Sequence, residues 1–234
     1  MSCKIKELFS YCIKKIHEKD LIRRAILYIA GLFILAFGVA VGINADLGVS
    51  VVNLNPFIIS EIFETTMGQF VTAMLIIFIL IELAILRRKF TILNVLQIIP
   101  SFMFGYFVDL SRWIVGDFRI PTLAGSVLML LTCSLLLSSG LVIYMNAKLV
   151  SMPAEGIVEV VASVIPNGTF PKTKIMFDCT LVSIAIVISL AYFGRLHGIH
   201  VGTLFLAMNT GRIMPLVRRV IDPFLRKTGF SLDW

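Results

Sequence analysis

Apolar runs separated by short charged interruptions make up most of the chain. Between Ala25 and Ala45 no formal charge appears, and such a run suffices to cross a bilayer, which takes roughly 20 apolar residues. Comparable runs cover 68–86, closed by Arg87-Arg88-Lys89, then 91–110, then 121 to the Asn146-Ala147 pair, then 174–193 and 199–217, the last closed by Arg218-Arg219. The pattern predicts six spanning helices. Two further apolar stretches, 49–64 and 151–165, are too short to span and are interrupted by Asn53, Asn55 and Pro56 in one and by Pro153, Glu155 and Glu159 in the other. They predict broken segments that enter the membrane part-way.

Composition supports a bilayer as solvent. Of 234 residues 58% are hydrophobic and only 15% charged, with mean hydropathy +0.96, too little charge for the surface of a soluble domain. The net charge of +7 would suggest nucleic acid in a soluble chain, but here the basic residues flank apolar runs, so no nucleic-acid partner is expected. Residues 1–24 set Ile5, Leu8, Phe9, Cys12 and Ile16 at helical spacing against Lys4, Lys6, Lys14, Lys15 and Lys19, which predicts a basic amphipathic helix on the membrane surface, retained rather than cleaved. Residues 25–219 form one membrane domain, and 220–234 a cytoplasmic tail. The four cysteines show no CxxC and no neighbouring histidine cluster, so neither a metal nor a disulfide framework is expected.

With both termini cytoplasmic, seven Lys/Arg precede the first span, three follow the second, three lie between the fourth and fifth and four follow the sixth. Only Arg112, Arg119 and Arg195 fall on the other side, with Arg212 inside the last run. The end of the first run, Gly38 to Gly48 with Asn44-Ala45, is echoed by Gly140 to Val150 with Asn146-Ala147. With a later four-residue insertion, Gly105 falls on Gly211 and Arg112 on Arg218. Repeat one then covers about 25–113 and repeat two about 122–219. Three spans per repeat is an odd number, so the copies enter the membrane with inverted topology. The fold expected is an all-α membrane protein of two inverted three-helix repeats, each with a broken, re-entrant segment after its first helix.

The Ala45-Asp46-Leu47-Gly48-Val49-Ser50 stretch, Gly68, and Ile199-His200-Val201-Gly202-Thr203 with Gly211 resemble the YitT/YczE family of bacterial multi-pass membrane proteins. Val51 to Asn53 departs from that family's Pro-aromatic-Asp, and Lys148-Leu149-Val150 lacks the second-repeat glycine. The resemblance implies an integral protein of the bacterial inner membrane, with transport suspected.

Candidate ligand-binding residues follow from the broken segments: Asn44, Asn53, Asn55 and Glu61 in the first repeat, and Asn146, Glu155, Glu159, Asn209 and Arg212 in the second. Glu155 and Glu159 share a helix face and would bind a cation or relay protons, unless they form a solvated edge. The asparagines would coordinate a ligand or bridge helices. Arg212 would snorkel or bind an anion. Asp178 is expected to pair with Lys174 four residues before it, and Glu82 to pair with Arg87 or snorkel to the membrane edge. Asn167-Gly168-Thr169 matches a glycosylation sequon on the expected cytoplasmic side and is set aside. No catalytic motif, cofactor site or P-loop occurs, so an enzyme is not expected. The leading reading is a small secondary transporter or channel for a small solute or ion, with its site between the broken segments. The other is a non-transporting partner that supports the assembly or regulation of a second membrane protein or of its own oligomer.

Overall fold

A computed structural model describes residues 2–166 and 168–227, with side chains from residue 21 onward except 210–212, 222 and 224–227. Its described residues are helical, without strands. The order is α1 (Ser2–Asn44), α2 (Val51–Phe63), α3 (Met67–Leu86), a 3₁₀ turn (Arg87–Lys89), α4 (Ile92–Leu96), α5 (Ile98–Val115), α6 (Leu123–Asn146), α7 (Pro153–Val164), α8 (Phe170–Phe193) and α9 (Val201–Lys227). Five stretches are long and apolar enough to cross a membrane: Leu21–Asn44, Met67–Lys89, Ile92–Val115, Leu123–Asn146 and Phe170–Phe193. Their outward faces carry large apolar side chains, among them Leu80 on α3, Phe102 on α5 and Val187 on α8, as a lipid environment requires. The sixth expected run, 199–217, falls on α9 from Val201 onward, and that helix continues to Lys227.

The N-terminal basic segment is continuous with the first span, because nothing at Arg23-Arg24 interrupts a helix: charge changes the solvent a helix prefers, not its backbone. By contrast the third span is broken at Gln97. Pro100 has no N–H, and its ring crowds the carbonyl four residues earlier, Leu96, where α4 ends. At 13 and 12 residues, α2 and α7 are about 20 and 18 Å long, short of a roughly 30 Å hydrocarbon core. Helix α2 buries eight of its 13 residues and α7 six of its 12.

Packing is organised by α1 crossing α6 antiparallel, with Gly31 against Tyr144, Leu35 against Gly140, Gly38 against Leu137 and Gly42 against Cys133. Next to this pair α1 packs on α5, and α6 on α9. A second group forms a ring in which α2 packs on α3, α3 on α7, α7 on α8 and α8 on α2. The α3–α5 pairing has no equally extensive counterpart between α8 and α9. Leu54 and Ile58, Leu75 and Phe78, Ile157 and Val158, and Leu181 and Ala185 join one apolar core.

Backbone breaks recur at the 102-residue offset between Asn44 and Asn146. Helices α1 and α6 end on these two residues, and α2 and α7 begin at Val51 and Pro153. Between them, Asp46 and Lys148 both take left-handed backbone, with φ of 55° and 50°. Asp adopts that region more readily than Lys, so the shared turn is not a matter of residue preference alone.

Candidate functional site

Helix α3 separates two polar regions. Near its N-terminus a cavity of about 530 Å³ opens between the end of α1, α2, the end of α5 and the loop before α9. Asn44, Asp46, Glu61, Asp109, Arg112, Asp117, Arg119 and His197 line it, with Phe57 and Trp113 among its apolar walls. Both signs of charge face one space. Contacts among neighbouring elements place Asp109, Arg112, Glu61, Asn44 and His197.

Asp109 accepts the Gly68 N–H at 2.7 Å, so its carboxylate sits on the N-terminal turn of α3, where unpaired N–H groups and the helix dipole favour an anion. This contact is possible because α3 and α5 meet closely: a side chain on Gly68 would strike the Gly105 carbonyl, and one on Gly105 the Thr72 hydroxyl. Arg112, one turn beyond Asp109, reaches Glu61 at 3.8 Å. With the two side chains 34% and 41% exposed the pair is screened by water, worth at most about 1 kcal/mol, and both groups are available to a third charged group. Asn44 donates to the Gly116 and Phe118 carbonyls at 2.7 and 3.1 Å, tying the end of α1 to the segment that carries Asp117 and Arg119. His197 stacks on Phe57, ring centroids 5.6 Å apart, and its backbone N–H donates to the Ser189 hydroxyl.

The other polar region lies near the C-terminus of α3 and the start of α7. Glu82 is fully buried there, and its Oε2 accepts the Asn94 amide at 2.9 Å. It is not an edge residue paired with Arg87. Ion pairs form between Arg112 and Glu61 and between Lys174 and Asp178, the latter at 2.6 Å as its spacing predicts. Glu155 adjoins the buried Tyr144, and Tyr28 donates to the Val150 carbonyl at 2.9 Å. Burial is the largest influence on Glu155 and raises its carboxyl above the usual range, against the lowering pull of Lys174 and the Tyr144 hydroxyl.

The sequence-derived candidates are thus divided. Asn44 and Glu61 line the cavity together. Asn53 donates to the Ser50 hydroxyl at 2.9 Å, and Asn55 to the Leu181 carbonyl at 3.0 Å, so Asn55 ties α2 to α8. Asn146 is buried where α6 ends, Glu155 is half-buried on α7, and Glu159 is exposed. Asn209 is half-buried on α9 and does not line the cavity. The side chain of Arg212 lies outside the described residues, as does Asn167. The charged cavity residues and histidine missed from sequence were Asp46, Asp109, Arg112, Asp117, Arg119 and His197. Their one legible signal was Asp109 and Arg112, charged residues three apart at the end of an apolar run.

No curated protein and no solved structure matches the chain. A family model described as a family of unknown function, DUF6198, matches residues 22–219, which takes in every spanning stretch but one residue of the first and both short helices. The chain belongs to the DUF6198 family.

Proposed function

We propose that the chain is a small secondary transporter or channel of six spans in two inverted repeats, which admits a small polar or charged solute through the cavity at the α3 N-terminus. The observation that carries this reading is the cavity itself: about 530 Å³, within the range of small-molecule sites, and lined by acidic and basic groups in an otherwise apolar chain. The repeat is supported by the backbone breaks that recur after 102 residues and by the antiparallel α1–α6 crossing. That same shift exchanges the contact Gly31–Tyr144 with Gly42–Cys133, and Gly38–Leu137 with Gly140–Leu35. It also relates α2 on α8 to α7 on α3. Kinship with YitT/YczE proteins and a bacterial inner-membrane location belong to this proposal, as do cytoplasmic termini, which the Lys/Arg distribution favours. The apolar core between α2 and α7 would close the path beyond the cavity in this state.

Purified protein in proteoliposomes, assayed against a panel of zwitterionic, anionic and cationic metabolites, tests the reading. Flux of at least one solute above empty liposomes is expected, reduced about tenfold by Arg112→Gln or Glu61→Gln, a loss equivalent to ~1.4 kcal/mol of binding. Absence of flux for the whole panel with folded, reconstituted protein overturns it. Stable copurification of one membrane partner would then favour the assembly reading.

A further inference from the structure

Glu82 plays no part in the cavity. It is fully buried on α3, fifteen residues and about 22 Å along the helix from Met67, and it forms no ion pair among the described residues. Its surroundings supply amides rather than cations. Helix α4 carries no charge. On α5, Asp109 is held at Gly68 and Arg112 at Glu61 of α2, all toward the far end of α3. Helix α7 contributes two more carboxylates, Glu159, whose negative charge repels that of Glu82, and Glu155, which adjoins Tyr144. Arg87, Arg88 and Lys89 in the following turn are exposed.

The hydrogen bonds say which oxygen is open. Asn94 Oδ1 accepts both the Thr91 N–H at 3.1 Å and the Thr91 hydroxyl at 2.7 Å, which orients its amide so that Nδ2 donates to Glu82 Oε2. Oε2 is therefore an acceptor. Oε1 has no hydrogen bond of good geometry, and neither does the buried Oε1 of Gln97, whose amide adjoins Glu82. The two groups meet over Gly156, where an added Cβ would lie 2.5 Å from Glu82 Oε1 and 2.9 Å from Gln97 Nε2. That close approach leaves no room for a coordinated metal ion between the carboxylate and α7. A buried carboxylate without a counter-charge is strongly disfavoured.

We propose that Glu82 is a proton-binding site with the Gln97 amide as its partner. With the proton on Oε1, the Gln97 amide turns so that Oε1–H donates to its carbonyl oxygen, and both unsatisfied atoms are paired. On release, the proton goes to water, the amide turns back and its NH₂ donates to the carboxylate. The proposal rests on burial and hydrogen-bond geometry rather than on transport, so either reading stands if the other falls.

Infrared difference spectra of the full-length chain in lipid nanodiscs, between acidic and alkaline buffer, test it. A protonated-carboxyl C=O band that shifts on deuteration is expected, together with a change in a glutamine amide C=O band. Glu82→Gln should remove one component of the carboxyl band that Glu155→Gln and Glu159→Gln both retain. A carboxyl band that is unchanged in folded Glu82→Gln, or is absent from the wild type, overturns the proposal. If Glu82→Gln does not fold, Gln97→Leu decides: loss of the acceptor must shift the carboxyl band, and an unshifted band overturns the proposal equally.

Discussion

The α1–α6 crossing makes a graded prediction, because the four contacts differ in what an added methyl would meet. Replacing Gly by Ala within a helix is favourable by up to about 1 kcal/mol from backbone entropy, and that gain is common to every site. The steric part is not. At Gly140 the new Cβ would lie 2.5 Å from the Leu35 backbone nitrogen and 2.8 Å from the Gly31 carbonyl oxygen, about 1 Å inside van der Waals contact and against main chain that moves only if the helices separate. At Gly38 the nearest atoms are Leu136 Cβ at 3.0 Å and the Leu137 nitrogen at 3.1 Å, a shortfall of about 0.5 Å. Overpacking costs of about 1–3 kcal/mol place Gly140→Ala near the upper end, a net loss of about 2 kcal/mol, and Gly38→Ala near zero. Gly42 supplies the control. Its Cβ would meet Cys133 Sγ at 2.6 Å, so Gly42→Ala should lose about 1 kcal/mol, and Cys133→Ala in the same chain should restore it. Reversible unfolding in graded denaturing detergent, followed by far-UV circular dichroism, measures the three glycine variants, Cys133→Ala alone and the Gly42→Ala/Cys133→Ala double variant. Equal losses at Gly38 and Gly140, or strict additivity of Gly42→Ala with Cys133→Ala, would refute the packing argument.

Asp109→Ala should destabilise by about 1.5–3 kcal/mol, as expected for a hydrogen bond to a charged group, while Asp109→Asn, which keeps an acceptor near Gly68, should lose less than half of that in the same unfolding assay. Glu155 gives a pH dependence. Its folded carboxyl titrates above the ordinary value of 4.5, so the folded state binds that proton more tightly than the unfolded state. Stability from this group is therefore greatest below about pH 4.5 and declines as pH rises through the folded value. Glu155→Gln should flatten that part of the stability profile, and an unchanged slope would count against burial as the cause.

Spans were legible because a bilayer imposes a length: an uncharged run such as 25–45 has few alternatives to a helix, and the structure gives Leu21–Asn44. The short stretches around Asn55 and Glu155 stood out for the complementary reason, being apolar but too short to cross. Long-range partners were not legible. Glu82 lies five residues from Arg87 in sequence, but its neighbours are Asn94 and Gln97, which follow the turn at Arg87–Lys89 and end at the Pro100 break, and Gly156 on another helix. A Pro in a spanning run announces a break without saying which residues the break redirects. The cavity was obscured similarly, since its charges come from helix ends and connections that read as ordinary flanking residues. Asn55 illustrates the converse: a polar residue on a short buried helix suggested a ligand, whereas its amide joins α2 to α8.

The two polar regions differ in a way that the chemistry of their charges explains. Arg112 and Arg119 cannot shed their protons, so deep burial would leave a permanent charge in a low-dielectric interior. They occur where the cavity admits water, with Arg112 one-third exposed beside Glu61. The fully buried ionisable residue on α3, Glu82, belongs to a class that neutralises itself by taking up a proton. Under the proposed duplication the two ends began alike and diverged: the left-handed turn bears Asp46 at one end and Lys148 at the other, and positions 57 and 159 are Phe and Glu. Charges of both signs face one cavity at the first end, where they can contact a solute, while at the other the fully buried group is one whose charge depends on protonation. An inverted pair with that division has one end suited to holding a charged solute and the other to sensing or carrying a proton, and Arg112→Gln and Glu82→Gln should therefore affect solute binding and proton binding independently.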